Sequence, residues 1–190
     1  MVLAYPALVY LGVSHWEVDR VGFVIAGGAL VAMGLAARAT GGRAVARVAL
    51  PFVPAVLVGL GAGVLGSERL LMALPVLVGV CIFAPFALSL RPGSTPLVAR
   101  FAAVERRARG ATGELSPEAA AHCLRFTRFW SAYLLVNTLV AGALAWLAWI
   151  DAWFVHTFVL GYVGMGVLIV WERIARPHDA ELEAVEGSAP

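Results

Sequence analysis

Six stretches of this chain contain no Asp, Glu, Lys or Arg, and all of its arginines lie in the segments between or after them. The stretches are residues 1–16, 21–37, 48–67, 70–90, 129–150 and 152–171. A helix needs roughly 20 apolar residues to cross roughly 30 Å of hydrocarbon. The last four stretches reach that length, and the first two fall slightly short. The sequence therefore predicts an all-α, polytopic membrane protein with six transmembrane helices, or with five and a shallow first segment.

The composition supports this class and excludes others. Hydrophobic residues make up 61% of the chain and charged residues 14%, whereas soluble proteins average about 25% charged residues. The formal net charge is +2, but the arginines cluster beside the apolar stretches, where membrane topology accounts for them. We therefore predict no nucleic-acid partner.

The distribution of arginines predicts the orientation in the membrane, because basic residues are retained on the cytoplasmic side during insertion. Of the 14 arginines, 12 lie in residues 38–47, in residues 91–128 or after residue 171. The other two, Arg20 and Arg69, lie in the connections that are predicted to face the outer side of the membrane. We expect both termini to be cytoplasmic, a single membrane domain over residues 1–176, and an acidic, disordered cytoplasmic tail over residues 177–190.

Small residues and prolines inside the stretches predict how the helices pack. Gly59 and Gly63 have GxxxG spacing, and further glycines lie in the second and sixth stretches (Gly27, Gly28, Gly161, Gly164 and Gly166). Such residues let helix backbones approach closely in lipid. We expect contacts within one chain rather than a dimer interface, and the oligomeric state stays open. Prolines predict bent helices among the first four stretches and straight helices in the last two, which contain none.

Residues 91–128 form the long cytoplasmic connection and contain two predicted helix starts. Thr95-Pro96 and Ser116-Pro117 each place a capping hydroxyl before a proline at the first helical position. The first helix is predicted to be amphipathic and to lie in the membrane interface; the second is predicted to continue into the fifth span. The candidate contacts for a partner or for lipid headgroups are Arg91, Arg100, Arg106, Arg107 and Arg109. The alternative is a surface helix whose arginines only keep the connection inside.

Few residues within the stretches suggest chemistry. Asn137 and Tyr162 are the candidate intramembrane polar contacts, since an amide in hydrocarbon needs hydrogen-bond partners. We expect such contacts to join helices more often than to bind a substrate.

The predicted outer surface carries a few ionisable residues. Asp151 and His156 offer a weak acid–base pair, and with His15 and Asp19 a conceivable metal site, although no ligand spacing supports one. Cys81 and Cys123 are expected to be ordinary thiols. The sequence thus predicts no catalytic residue, no metal and no cofactor.

The carboxy-terminal half resembles a known family. The resemblance rests on a pattern of residues in order along the chain: Arg91-Pro92, Ser94, Pro96, Leu97-Val98, Arg100-Phe101, Thr127, Trp130, Asn137, Tyr162, Met165-Gly166 and Glu172. It resembles uncharacterised bacterial inner-membrane proteins encoded in aryl-polyene and xanthomonadin-type pigment clusters beside ketosynthases. More distantly, it resembles the intracellular septation protein A family.

The resemblance covers roughly residues 70–176 and implies a setting rather than a reaction. The chain differs from the pigment-cluster family in its arginine-rich 100–115 stretch and in its acidic tail. The implied setting is cell-envelope or aryl-polyene lipid assembly. Because no ionisable residue lies within the apolar stretches away from their ends, we predict a non-enzymatic inner-membrane accessory or scaffold protein in that setting. Its partners would be membrane lipids and envelope, division or polyene-synthesis proteins. The alternatives are a small transporter or flippase for a lipid or hydrophobic intermediate, and an intramembrane enzyme working through His156.

Overall fold

The computed structural model describes residues 5–39, 52–108, 110 and 115–175, and every regular element in those ranges is helical. In chain order the helices are α1 (Tyr5–His15), α2 (Val18–Ala39), α3 (Val53–Leu65), α4 (Glu68–Leu88), α5 (Leu97–Ala108), α6 (Pro117–Trp146), α7 (Ile150–Phe154) and α8 (Gly161–Ile174). A π-helical stretch, Val155–Leu160, joins α7 to α8. The predicted all-α class is confirmed for the described part of the chain.

Four helical segments are long and apolar enough to cross a membrane: Val18–Arg38, Glu68–Leu88, Pro117–Trp146 and Ile150–Ile174. The other two predicted spans correspond to shorter helices, α1 with 11 residues and α3 with 13. At about 1.5 Å per residue these two described helices are shorter than the hydrocarbon layer. Residues 1–4 and 48–51 of the predicted spans, and the predicted tail over residues 177–190, lie outside the described residues.

The chain divides into two compact units. The first unit contains residues 1–78 and 138–162, and the second contains residues 79–137 and 163–190. The divisions fall within α4, α6 and α8 rather than in connecting segments.

The core of the first unit includes side chains of α1, α4 and α7. Val9, Leu71, Met72 and Trp153 are fully buried in it. The Trp153 indole Nε1–H donates a hydrogen bond to the Met72 carbonyl oxygen at 3.1 Å. A buried indole N–H without a hydrogen-bond acceptor would destabilise the fold. The backbone of α4 supplies this acceptor.

A second side chain also donates a hydrogen bond to the backbone of α4, and a proline in that helix explains why. Pro75 has no N–H, so the carbonyl of Leu71, four residues earlier, lacks its helical donor. The Tyr5 hydroxyl donates to this carbonyl oxygen at 2.6 Å. A neighbouring helix thereby satisfies the group that the proline leaves open, as helices in lipid require.

Helices α2 and α3 pack backbone to backbone in the first unit. A Cβ atom on Gly22 would lie 2.4 Å from the Gly63 nitrogen, and one on Gly59 would lie 2.8 Å from the Ala26 nitrogen. The predicted role of Gly59 and Gly63 in contacts within the chain is confirmed. In contrast, no atom of the described residues lies within 4 Å of the position a Cβ would take on Gly27 or Gly28.

Two local features differ from the regular helices that the sequence predicts for the last two stretches. The π-helical stretch Val155–Leu160 lies in a segment without proline. The turn between α6 and α7 places Ala148 at φ +56°, a left-handed conformation that favours glycine. Trp149 N–H donates to the Leu144 carbonyl oxygen at 3.2 Å and closes this turn.

Candidate functional site

The first turn of α5 is held by two side-chain hydroxyls in the second unit. The Leu97 backbone N–H donates to Ser89 Oγ at 3.0 Å, and the Val98 N–H donates to Thr127 Oγ1 at 3.3 Å. The first amides of any helix lack intrahelical acceptors. These two hydroxyls supply acceptors from the end of α4 and from α6, so the amino end of α5 is fixed to the second unit.

Both hydroxyl groups are buried and are themselves oriented by the backbone. Ser89 Oγ–H donates to the Phe86 carbonyl oxygen at 2.8 Å, and Thr127 Oγ1–H donates to the Cys123 carbonyl oxygen at 2.7 Å. The exposed fractions of Ser89 and Thr127 are 4% and 0%. Each hydroxyl therefore donates to its own helix and keeps its lone pairs directed at the amides of α5.

The predicted cap of this helix is corrected by these contacts. The sequence predicts that Thr95 caps α5 through its hydroxyl, but its described contact is through its carbonyl oxygen, which accepts from Arg100 Nε at 3.1 Å. The acceptors for the helix amides come instead from residues 8 and 29 positions away in sequence. Local sequence spacing cannot reveal such distant partners. Thr127 is marked in the sequence only by the family resemblance, and Ser89 belongs to no predicted motif.

The second predicted helix start is confirmed. Ser116 Oγ accepts a hydrogen bond from the Ala119 backbone N–H at 3.2 Å, the usual arrangement of a capping serine. Helix α6 then runs without interruption from Pro117 to Trp146. The helix thus continues, as predicted, into the fifth apolar stretch, residues 129–150.

Helix α5 presents an apolar stripe on its exposed side. The exposed fractions of Phe101 and Val104 are 59% and 63%. Arg100 and Arg107 are also exposed and lie beside this stripe on the helix surface. On the opposite side, Ala99 is buried. The arrangement is typical of a helix with one face packed against its own protein and another free to contact a membrane or a partner.

The five predicted contact arginines do not share one environment. Arg91, Arg100 and Arg107 are exposed. Arg106 is half-buried, and its Nε and Nη1 atoms are out of contact with water and lack a hydrogen-bond partner among the described residues. Arg109 lies outside the described residues. The single basic side predicted for α5 is therefore corrected, because Arg106 lies on the buried face with Ala99.

An aromatic cluster lies in the second unit, between the amino-terminal part of α6 and the carboxy-terminal part of α8. The ring of Phe126 is 4.6 Å from His122, 5.9 Å from Phe129 and 5.1 Å from Trp171 of α8, measured between centroids. Trp130 contacts Phe86 at 6.0 Å. Aromatic residues are enriched at membrane interfaces. The placement of Trp130 near the headgroups stays a prediction.

The two predicted intramembrane polar residues are both half-buried. Asn137 lies in α6 within the second unit, and Tyr162 lies in α8 within the first unit. Both make contacts in the structure. Their predicted role as polar contacts inside the membrane stays a prediction.

The ionisable residues predicted for the outer surface form separate contacts in the first unit. Tyr10 lies beside Asp151, and its ring stacks on that of Phe154 with 4.5 Å between the ring centroids. His15 Nδ1 lies 3.0 Å from the Leu11 carbonyl oxygen. Within the described ranges, no group of three or more His, Cys, Asp or Glu side chains is arranged to hold a metal ion. His156 lies in the π-helical stretch, which the sequence did not predict.

The two cysteines are free thiols, Cys81 exposed and Cys123 buried. Cys123 takes part in the second unit through its backbone, since its carbonyl oxygen accepts from Thr127.

Comparison of the chain with protein-family models, with curated proteins and with solved structures gives no match in any of the three.

Proposed function

We propose that this chain is a non-enzymatic accessory or scaffold protein of the bacterial inner membrane that assists cell-envelope or aryl-polyene lipid assembly. It has six membrane segments, with α1 and α3 as the shorter two, and both termini are cytoplasmic. Helix α5 lies in the cytoplasmic interface and, together with Arg91, provides the surface that contacts lipid headgroups or a partner. The setting comes from the family resemblance of residues 70–176.

The observation that carries the proposal is the fixed position of α5. Its first turn is bound to Ser89 and Thr127, while Phe101, Val104, Arg100 and Arg107 remain exposed. An apolar stripe with arginines beside it gives a helix both membrane affinity and attraction to anionic groups. A helix that is held at one end and exposed along its side is well suited to docking.

The distribution of charge supports the same proposal. Among the described residues, every Asp, Glu and Arg is exposed or half-buried, and the buried polar residues are Ser89, His122, Thr127, Ser131 and Thr138. Intramembrane ionisable residues commonly mark ion or proton pathways. The buried polar groups here belong mainly to hydroxyls that bond to backbone carbonyls, which favours a structural role for the apolar helices.

Crosslinking in native membranes tests the proposal. The tagged full-length chain is compared with a variant in which Arg91, Arg100, Arg106, Arg107 and Arg109 are all changed to glutamine, after its topology has been checked. We expect wild type to recover envelope, division or ketosynthase proteins specifically, and the variant to lose them. The matched control is Arg20→Gln with Arg69→Gln, which removes arginines from the predicted outer connections. Recovery that is unchanged in the five-residue variant would refute the docking role.

A second candidate, a small transporter or flippase for a lipid or hydrophobic intermediate, is favoured by one observation. The π-helical stretch ends at Leu160, just before Tyr162, and π-helical insertions in α-helices are frequently found at functional sites. Proteoliposomes carrying a fluorescent lipid would test it. Transport predicts lipid exchange between leaflets that is slowed by Asn137→Ala and by Tyr162→Phe, whereas a scaffold gives no exchange above that of protein-free vesicles.

A further inference from the structure

The exposed residues of α5 point to the chemistry of what it binds. Phe101 and Val104 lie one helical turn apart and are more than half exposed, at 59% and 63%. Aqueous solvent is an unfavourable environment for such a stripe, and the interface between headgroups and acyl chains is a favourable one. The apolar residues of α5 therefore suit the boundary of a bilayer.

The charges on the exposed side favour an anionic ligand, because the exposed charged residues of α5 are Arg100, Glu105 and Arg107, with arginine in excess. Arg100 and Arg107 are exposed and are seven residues apart, so they lie on one side of α5, two turns from each other. The Arg100 Nε–H already bonds to the Thr95 carbonyl oxygen, which directs the guanidinium along the first turn of the helix. A guanidinium remains charged at all relevant pH values and forms well-oriented hydrogen bonds to phosphate oxygens.

Arg106 does not share this side of the helix. It is half-buried, and its Nε and Nη1 atoms are screened from water and have no hydrogen-bond acceptor among the described residues. It lies on the face of α5 that also carries Ala99, away from Arg100 and Arg107. The ligand contacts are therefore assigned to Arg100 and Arg107 alone.

We propose that α5 binds the phosphate headgroup of an anionic phospholipid through Arg100 and Arg107, with Phe101 and Val104 inserted at the boundary of the acyl chains. The inference rests on the proposed function, since it names the ligand of the same docking surface. Ser89 and Thr127 position the site by holding the first turn of α5 at the membrane surface.

Binding of short-chain lipids to the detergent-solubilised full-length protein tests this inference. The dissociation constant for a short-chain phosphatidylglycerol is compared with that for the phosphatidylcholine of the same chain length. Each arginine near an anionic lipid surface contributes about a fivefold factor in affinity, so Arg100→Gln with Arg107→Gln is expected to weaken phosphatidylglycerol binding about twenty-five-fold. Phosphatidylcholine binding is expected to be nearly unchanged.

Two control pairs separate lost charge from lost structure. Arg20→Gln with Arg69→Gln removes the same number of exposed charges elsewhere and should leave the preference intact. Arg100→Lys with Arg107→Lys keeps the charges and should retain most of the preference for phosphatidylglycerol. If both lipids bind equally to wild type, or if the glutamine pair binds phosphatidylglycerol as tightly as wild type does, the inference is wrong.

The same glutamine pair distinguishes this inference from the proposed function. Loss of phosphatidylglycerol binding supports the lipid site whether or not crosslinked partners are still recovered. Unchanged lipid binding together with loss of a crosslinked envelope or ketosynthase protein would show that the two arginines bind a protein. That outcome would overturn the lipid site and leave the scaffold role standing.

Discussion

Each of the two units of this protein is stabilised by a different kind of contact. The first unit relies on close backbone approach, at Gly22 and Gly59, and on a core around Trp153. The second unit relies on the buried hydroxyls of Ser89 and Thr127 and on aromatic rings around Phe126. Backbone-to-backbone packing leaves little room for adjustment, whereas hydroxyl contacts fix one end of a helix and leave its side exposed. The contacts described for the first unit hold its helices together, and the docking surface that we propose lies in the second unit.

The largest expected effect comes from adding a methyl group between α2 and α3. Gly22→Ala would place a Cβ atom 2.4 Å from the Gly63 nitrogen, so the two helices would have to separate. We expect the free energy of unfolding to fall by about 3 kcal/mol. Denaturation in mixed micelles measures this change. Gly28→Ala is the matched control, because its added Cβ would have no neighbour within 4 Å in the part of the chain that the structure describes. Equal losses for the two variants would contradict the packing of α2 on α3.

The next effect concerns the carbonyl that Pro75 leaves without a helical donor. Tyr5→Phe removes the hydroxyl that donates to the Leu71 carbonyl oxygen, and we expect a loss of about 1.5 kcal/mol in the free energy of unfolding. In a Pro75→Ala background the new backbone N–H at position 75 can donate to the same carbonyl. The loss caused by Tyr5→Phe should therefore be smaller there, and a double-mutant cycle measures the difference. If Tyr5→Phe costs the same in both backgrounds, the Tyr5 hydroxyl does not compensate for the N–H that Pro75 lacks.

Thr127→Val is expected to lower the global stability less than the two changes above and to loosen the first turns of α5 locally. This change keeps the side-chain shape and removes the acceptor of the Val98 N–H. The free energy of unfolding should fall by about 1 kcal/mol. Hydrogen–deuterium exchange should rise in the first turns of α5 while the first unit keeps its protection. An increase spread evenly over both units would contradict the anchoring role.

The smallest expected effect is a gain in stability. Ala148 has φ +56°, so Ala148→Gly relieves left-handed strain at the turn before α7. Glycine also loses more conformational freedom on folding, which offsets part of the gain. We expect a net stabilisation of about 0.5 kcal/mol, measured by denaturation in mixed micelles. A loss of stability would show that the alanine side chain contributes a contact in the turn.

Sequence reasoning predicted the parts of this fold that depend on local pattern. The all-α class, the capping of α6 by Ser116 and the close approach at Gly59 all follow from hydropathy, helix-start chemistry and the spacing of small residues. Spanning length was confirmed for four helices, whereas α1 and α3 are shorter than the apolar stretches that contain them. Apolar length alone does not determine where a helix begins and ends.

The remaining features depend on partners that are distant in sequence. Ser89 and Thr127 lie 8 and 29 residues from the amides of α5 that they bind, so no local motif marks them. The inward position of Arg106 depends on which side of α5 packs against the protein. The π-helical stretch at Val155–Leu160 has no proline or other local signal.

The most direct test of the docking surface is the environment of Val104 in a bilayer. A spin label placed by Val104→Cys, in a chain carrying Cys81→Ala and Cys123→Ala, is compared with a label at Arg107→Cys in nanodiscs containing anionic lipid. Our account predicts that the label at position 104 is more accessible to oxygen, which concentrates in lipid, than to a water-soluble nickel complex, with the opposite order at position 107. A label at position 104 that is as accessible to the nickel complex as the one at position 107 would place α5 in water and contradict the account.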